Sequence, residues 1–375
     1  MKIFTCQACG NVVHFENTHC VNCDHLLGFA TDQLTVSALE RDGENDQFTT
    51  LSDPSNRYRL CANVETGACN WLVAVDEGET FCLSCRHDHT VPDLSVPENH
   101  HAWRRVEFAK RRMFYSLLRW GLPAPTRDED AEAGLAFDLL ADIETANGVQ
   151  PVLTGHDNGL ITLNIAEAND AEREARRAAM GEPYRTLLGH FRHEIGHYYW
   201  DRLVRDSDRL EECRAIFGDE RDDYEQALKR HYQSGAPADW NLGFISAYAT
   251  AHPWEDFAET WAHYTHMVDA LETARAFGLV VGFTLYDQSS GADRNFDPYC
   301  AGDIDDLIAD WVPVTIALNA LNRSLGQQDL YPFVLSQAVT EKLRFIHRLV
   351  RDASRPAEGE LRLPNVEPRG RDNAM

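Results

Sequence analysis

The sequence predicts an α+β protein in which small β-rich units precede a mainly helical domain that carries a small sheet. Eight of the ten cysteines fall in the first 85 residues, whereas the apolar residues after position 98 recur mostly at helical spacing. A chain of 375 residues, 43% of them hydrophobic, is long enough for two or three folded units. We predict units at 1–30, 31–95 and 98–354, and a disordered tail at 355–375, where Pro, Gly, Glu and Arg dominate.

The balance of charge restricts the partners of the protein. Thirty-five basic and 60 acidic residues give a net charge of −25. Such a field repels phosphate backbones and anionic lipid, so we do not expect nucleic acid as a partner. The start of the chain has no apolar signal-like run, and no apolar stretch approaches the about 18–20 residues needed to cross a bilayer. We therefore expect a cytoplasmic protein that does not contact a membrane.

The first four cysteines form two Cys-x-x-Cys hooks, followed by Gly10 and Asp24, which suit tight turns. In a chain without a secretion signal, such pairs indicate metal binding rather than disulfides. Two hooks can close a tetrahedral site of four thiolates around zinc, and the metal supplies folding free energy that so short a segment could not gain from a core. We predict a structural zinc site at Cys6, Cys9, Cys20 and Cys23.

The next four cysteines depart from this spacing, because seven residues separate Cys61 from Cys69, whereas Cys82 and Cys85 again form a short hook. A hairpin or loop can still bring the wider pair together, so we predict a second four-cysteine zinc site. The alternative is that His87 or His89 replaces one thiolate. Strand-like runs at 58–62 and 71–75 predict that this unit is rich in β-structure.

Residues 89–97 contain Pro, Asp and Ser and predict a linker. An amphipathic helix is predicted after it, ending near Gly121. Six basic residues on this helix stand out in an acidic chain. We expect them to form a solvated face or to dock on the protein's own acidic surface rather than to form a binding patch. They are Arg104, Arg105, Lys110, Arg111, Arg112 and Arg119.

The middle of the chain is predicted to contain a helix at 126–150, a strand at Gly159–Ile165 with alternating apolar residues, and a charged helix at 167–184. A strand shortly before the helix described next would offer a sheet edge, along which an extended peptide can pair as an added strand.

A helix predicted from about Tyr184 to Leu203 contains the motif His193-Glu194-Ile195-Gly196-His197. His193 and His197 are four residues apart and share one helix face, where two imidazoles can hold one zinc ion while Glu194 stands beside a metal-bound water. A neighbouring apolar face gives the segment a surface to bury. We predict a catalytic zinc site here.

A catalytic zinc ion usually takes three protein ligands and keeps a fourth position for water. The third ligand is expected from a second helix that begins near Pro253 and carries a buried aromatic stripe. Glu255 and Glu259 lie four residues apart on an adjacent face of this helix. One carboxylate can bind zinc while the other accepts a hydrogen bond from a ligating imidazole.

The mechanism expected from these parts is hydrolysis of an amide. Zinc would polarise the carbonyl, and Glu194 would take the proton of the attacking water and pass it to the leaving amine. Tyr248, His252 and His263 are candidate donors for the oxyanion because they lie near the second helix in sequence. The long connection at 206–248 is expected to pack around the cleft, and helices at 303–352 are expected to wall the domain.

The pattern Glu255-x-x-Ala258-Glu259 resembles the second-helix signature of gluzincin peptidases, although that signature usually ends in Asp. Together with the cysteine hooks, residues 1–350 resemble a bacterial family of zinc-binding metallopeptidases that carry an N-terminal zinc-ribbon region. The resemblance implies a zincin-like metallopeptidase domain preceded by zinc ribbons. It also implies that Glu255 is the third zinc ligand, with Glu259 or His263 as the alternative.

We therefore predict a zinc-dependent peptidase with one catalytic and two structural zinc ions, acting on a peptide or protein, with zinc ribbons that bind substrate or a protein partner. One alternative is a non-catalytic adapter whose ribbons bind a protein partner. Another is an amidase that acts on a non-peptide substrate, because the ligand set does not select the acyl group.

Overall fold

A computed structural model describes residues 1–43, 46–145, 148–180, 185–279, 281, 283–285, 288–290 and 297–354. The predicted tail at 355–375 lies outside the described residues. The predicted α+β class is confirmed, because short strands dominate the first 90 residues and helices dominate the rest. The helices are α1 (Pro97–Trp120), α2 (Asp170–Met180), α3 (Leu187–Trp200), α4 (Leu210–Phe217), α5 (Tyr224–Ser234), α6 (Pro253–Ala276), α7 (Ile304–Ser324) and α8 (Gln337–Ala353). The strands are β1 (Phe4–Thr5), β2 (Val12–Val13), β3 (Leu27–Ala30), β4 (Thr35–Arg41), β5 (Phe48–Thr50), β6 (Arg57–Leu60), β7 (Leu72–Ala74), β8 (Asp88–Thr90), β9 (Ala136–Leu140), β10 (Ile143–Thr145), β11 (Gly148–Gln150), β12 (Gly155–Asp157), β13 (Leu160–Asn164), β14 (Phe283–Leu285) and β15 (Gln288–Ser290).

The cysteine-rich region contains a hairpin of β1 and β2 and an antiparallel sheet in the order β3-β4-β5-β6-β7. The strands predicted at 58–62 and 71–75 are confirmed as β6 and β7. β3 pairs with β4, and Leu27 lies opposite Ala38. The strand that ends at the predicted boundary at residue 30 therefore belongs to the same sheet as the strands of the following unit.

A strand from the cysteine-rich region also joins the sheet of the helical domain. That sheet has the order β12-β13-β9-β8, with β8 and β13 parallel to β9, and with β12 antiparallel to β13. The linker predicted at 89–97 is wrong for its first residues, because His89 and Thr90 lie in β8. Pairing with a parallel strand about 50 residues away leaves no local signal in the sequence.

The helix predicted at 126–150 is also wrong, because this segment contains β9, β10 and β11. β9 is paired on both sides, and Ala136, Phe137 and Leu139 are buried. An inner strand shows a nearly continuous apolar run, which periodicity does not distinguish from a helix. The strand predicted at 159–165 is confirmed as β13. The helix predicted at 167–184 corresponds to α2 over 170–180, and its last four residues, 181–184, lie outside the described residues.

α1 ends as predicted at Gly121, whose φ of 67° closes the last turn in the left-handed region. The basic side chains of α1 dock on the protein's own surface, which confirms the interpretation made from the sequence. The pairs are Arg104 with the Gly67 carbonyl, Arg105 with Asp170, Lys110 with Asp88, Arg111 with the Ala68 carbonyl, Arg112 with Glu16, and Arg119 with Glu272 and Asp297.

The cysteine-rich region and the helical domain share one core, because buried hydrophobic side chains from Phe4 to Val350 form a continuous cluster. At its centre α3 packs on α6, where the rings of Tyr199 and Trp261 stack with centroids 4.9 Å apart. α7 and α8, which lie in the helical region predicted at 303–352, pack on α6. Over the described ranges, no helix combines the length and apolar character needed to cross a membrane.

Candidate metal centre

The two predicted cysteine hooks come together in the structure. The sulfur atoms of Cys6, Cys9, Cys20 and Cys23 all lie within 4.8 Å of one another, and the Cys6–Cys23 and Cys9–Cys20 pairs are both 3.6 Å apart. Sulfur ligands about 2.3 Å from one zinc ion lie about 3.8 Å from each other, so the spacing fits a tetrahedral site. Gly10, at a φ of 74°, closes the first hook by donating its amide to the Cys6 carbonyl.

The second group consists of Cys61, Cys69, Cys82 and Cys85, all buried and equally compact. The sulfurs of Cys69 and Cys82 are 3.6 Å apart, and the amides of Trp71 and Cys82 donate to the sulfurs of Cys69 and Cys61 at 3.4 Å. Burial raises the pKa of the Cys82 thiol well above its usual value. Four thiolates in this place therefore require a compensating cation, which a zinc ion can supply.

Neither His87 nor His89 joins the second group. The ring nitrogens of His87 lie 2.7 and 3.0 Å from the carbonyl oxygens of Leu83 and Ala124, and Nδ1 of His89 lies 2.8 Å from a carboxylate oxygen of Asp138. Both imidazoles are thus engaged elsewhere, and the geometry favours four cysteines over a mixed set that includes a histidine.

The His-Glu-x-x-His motif lies in α3, which begins at Leu187 and passes at Asp201 into a π-helical turn. The Thr186 side chain caps the first turn, as a hydroxyl at this position is suited to do. The Nε2 atoms of His193 and His197 are 3.2 Å apart and face the same point. The local spacing on one helix therefore produces the pair of imidazoles that the sequence predicts.

α6 brings a carboxylate to the two imidazoles. Oε2 of Glu255 lies 2.9 Å from Nε2 of His193 and 3.5 Å from Nε2 of His197. Ligand bonds of about 2.1 Å to a tetrahedral zinc ion separate the ligand atoms by about 3.4 Å, so the three atoms match three corners of such a site. His252, a candidate oxyanion donor, instead caps α6 by accepting the amide of Trp254 at 3.1 Å.

Charge and hydrogen bonding also fit a cation at this point. Although Oε2 of Glu255 is close to His193, it is buried and lacks a hydrogen bond of suitable geometry to any described residue. Burial lowers the pKa of His193, but Glu255 and Glu259 outweigh burial and raise it well above its usual value. The two carboxylates that flank the imidazole of His193 favour a positive charge between them. A divalent ion can supply this charge in place of the proton on the ring.

Glu259 contacts the opposite nitrogen of His193. Its Oε1 lies 2.7 Å from Nδ1 of His193, and its Oε2 accepts the hydroxyl of Ser246 at 2.6 Å. Burial raises the pKa of Glu259, but the bond from His193 and further contacts lower it to about 2. The carboxylate of Glu259 thus contacts His193 on the side away from the three-atom group, which argues against the alternative in which Glu259 is a ligand.

Tyr248 and His263 differ in how they relate to this group. The ring of Tyr248 is half-buried, with its centroid 5.9 Å from that of His193. Nδ1 of His263 lies 2.7 Å from the Tyr331 hydroxyl, and its ring packs 4.4 Å from that of Phe333. His263 is thus held inside the aromatic core, which argues against the roles of ligand and oxyanion donor suggested by its place in the sequence.

Glu194 follows the first ligand candidate directly in α3, and only 7% of its surface is exposed. Burial is the main cause that raises the pKa of its carboxyl group above the usual range. A carboxylate whose affinity for protons is raised is suited to accept one from water.

Three aromatic residues near the imidazoles were not predicted as site residues. The hydroxyl of Tyr224 donates to Oε1 of Glu255 at 2.5 Å, the ring of Trp254 lies 3.9 Å from that of His197, and the ring of His156 on β12 lies 6.3 Å from it. Trp254 could have been inferred as the neighbour of Glu255. No sequence signal indicates the other two, because separate elements carry them to the site.

Gly196, inside the motif, allows α3 to approach α6 closely. A Cβ atom at this position would lie 3.0 Å from Cα of Ala258 and 3.1 Å from Cβ of Trp261. Neither neighbour is the flexible end of a side chain. The close approach of the two helices, which carry the candidate ligand atoms, therefore depends on glycine here.

We expect Gly196→Ala to lower the free energy of unfolding by about 1–3 kcal/mol, because overpacking outweighs the usual helical advantage of alanine of about 1 kcal/mol. Urea unfolding of the zinc-loaded protein measures the change. Gly302→Ala is the matched control, since a Cβ atom there meets nothing within 4 Å. Equal stability of Gly196→Ala and the wild type would contradict the close approach of the helices.

Two family models match this chain. The model described as "zinc-ribbon domain" covers residues 3–96, and the model described as "Putative zinc-binding metallo-peptidase" covers residues 99–349. Similar proteins, each named only as uncharacterized, include one from Mycobacterium tuberculosis strain H37Rv and one from Mycobacterium bovis. Each is 42% identical over 351 residues, which cover 93% of this chain and 95% of the relative. No solved structure matches the chain significantly.

Proposed function

The chain belongs to the family described as "Putative zinc-binding metallo-peptidase", and from this premise we propose that it is a zinc-dependent hydrolase that cleaves a peptide bond in a peptide or protein. The observation that carries the proposal is the convergence of Nε2 of His193, Nε2 of His197 and Oε2 of Glu255, with Glu194 beside them in α3. A tetrahedral zinc ion with three such ligands keeps one position open.

We assign His193, His197 and Glu255 as the residues that hold the ion. Zinc bound there would act as a Lewis acid and lower the pKa of water toward neutrality. Glu259 accepts the Nδ1 proton of His193 and so keeps Nε2 of that ring unprotonated and directed at the ion. Glu194 acts as the general base, which takes a proton from the attacking water and then donates it to the leaving amine.

An extended substrate can approach along β12. The sequence suggests β13 as the strand that offers an edge, but β13 is paired on both sides, and within the described sheet the outer strand on this side is β12. The ring of His156 on β12 lies 6.3 Å from that of His197, so this strand passes close to the imidazoles. A substrate backbone paired with β12 would thus bring a peptide bond near the centre.

For the oxyanion we favour Tyr248. Its ring is beside His193, whereas His263 and His252 are held by other contacts. Burial raises the pKa of the Tyr248 hydroxyl well above its usual value, so the group keeps its proton and can donate it to developing negative charge.

Metal analysis tests the proposal. The two cysteine groups account for two zinc ions and the centre on α3 and α6 for a third. The wild type should hold three zinc ions per chain, and His193→Ala/His197→Ala should hold two and lose hydrolysis of a peptide library. His89→Ala/His101→Ala, which changes two exposed histidines, should keep all three. Two zinc ions in the wild type would refute the catalytic site and favour a non-catalytic adapter.

A further inference from the structure

The two oxygens of Glu255 have different surroundings. Oε2 faces the Nε2 atoms of His193 and His197, whereas Oε1 accepts the hydroxyl of Tyr224 at 2.5 Å. Tyr224 is 31 residues before Glu255 and belongs to another helix. The direction of this carboxylate is therefore set from outside α6.

Tyr224 itself is held in a defined place. It is the first residue of α5, whose first turn is capped by the Asp223 side chain. Its ring meets those of His252 and Trp254 edge to face, with centroids 5.2 and 5.9 Å away. The phenol therefore reaches Glu255 from the capped first turn of a helix rather than from a loop.

The starts of α5 and α6 are also joined through the imidazole of His252. Its Nε2 lies 3.0 Å from the carbonyl oxygen of Asp222, and its Nδ1 accepts the amide of Trp254. A carbonyl only accepts and an amide only donates, so both partners select the tautomer protonated at Nε2. The imidazole of His252 therefore links Asp222, which is two residues before Tyr224, to Trp254, which is the residue just before Glu255.

We propose that Tyr224 is a positioning residue of the metal centre, which holds Glu255 as a ligand through Oε2 alone and keeps Oε1 away from the metal. The inference rests on the proposed zinc site. A carboxylate can bind a metal through one or two oxygens, and binding through two would take up space that the site needs for water and substrate. A hydrogen bond to Oε1 removes this freedom and orients the ligand before the metal arrives.

The test measures the affinity of the third zinc ion rather than activity. A moderate chelator removes zinc from the centre on α3 and α6, the two cysteine groups keep theirs, and calorimetric back-titration with zinc gives the dissociation constant. Tyr224→Phe should weaken binding by about 10- to 100-fold, the usual effect of removing a group that orients a metal ligand. The melting temperature of the chelator-treated protein should not change, since the ring and its packing remain.

Two further variants separate the hydroxyl from other effects. Tyr232→Phe removes an exposed hydroxyl from the same helix and should bind the third zinc ion like the wild type. Tyr224→Ala should bind as weakly as Tyr224→Phe if the hydroxyl is responsible. If Tyr224→Phe binds within twofold of the wild type, the inference is overturned although the zinc site stands. If the wild type holds only two zinc ions, the proposed function fails as well.

Discussion

Glu194→Gln should lower the rate of peptide hydrolysis by about 10²- to 10⁴-fold while the protein keeps three zinc ions per chain. Glutamine has nearly the shape of glutamate, but its amide cannot take a proton from water at neutral pH. Glu194 is buried, so the surrounding packing should hold the amide where the carboxylate was. Steady-state kinetics on a peptide chosen from a library, at matched zinc content, measure the effect.

The matched control is Glu225→Gln, which makes the same change at an exposed position in the first turn of α5 and should hydrolyse the peptide like the wild type. A Glu194→Gln protein that is as fast as the wild type would exclude Glu194 as the base. If the variant instead lost its third zinc ion, Glu194 would be required for metal binding, and its assignment as a base alone would be wrong.

The parts of the site that the sequence predicts well are those whose geometry is set by short spacing. His193 and His197 share a helix face because they are four residues apart, and each Cys-x-x-Cys hook holds its two sulfurs within 4.8 Å of each other. Such patterns need no knowledge of the rest of the fold. They identify the pair of imidazoles and the first cysteine group as candidate sites.

The choice between Glu255 and Glu259 could not be made from spacing. Residues four apart on a helix both face the same neighbour, so the pattern allows either carboxylate to be the ligand. The choice depends on how α6 lies against α3, and the two helices approach closely where Gly196 faces Ala258 and Trp261. In the resulting arrangement one carboxylate reaches Nε2 of His193 and the other reaches Nδ1.

Contacts between distant parts of the chain were not predicted. β8 pairs with β9, and Tyr224 reaches Glu255, through the arrangement of whole elements rather than through local pattern. The helix predicted at 126–150 failed for a related reason, since an inner strand is recognised by its neighbours on both sides. The sequence therefore indicates the candidate ligands more reliably than the residues that contact them.

Lys110→Met should lower the free energy of unfolding by about 3–5 kcal/mol, because it removes the cation from a buried cluster of three charges. Lys110 in α1 is fully buried and contacts the carboxylates of Asp88 in β8 and Glu107 in α1. Burial and the charge of Glu107 raise the pKa of Asp88 to about 7, against the effect of Lys110. Without the ammonium group, two buried carboxylates would lose the cation that contacts them both.

The position of this charge cluster explains why its loss should affect the whole molecule. Oε2 of Glu107 lies 3.8 Å from the sulfur of Cys85, and Asp88 is the first residue of β8, an outer strand of the four-stranded sheet. The cluster therefore connects the second cysteine group, α1 and the sheet at one point. Urea unfolding of the zinc-loaded protein measures the change in free energy.

Two variants show whether unpaired charge causes the loss. Arg105→Met removes a basic residue of α1 whose pair with Asp170 is open to solvent, and it should cost less than about 1 kcal/mol. Combining Lys110→Met with Asp88→Asn and Glu107→Gln removes all three charges and should recover most of the lost stability. If Lys110→Met cost no more than Arg105→Met, the loss of stability expected from unpaired charge would be wrong. The pairing of β8 with β9 and the shared core would then be sufficient to hold the cysteine-rich region against the helical domain.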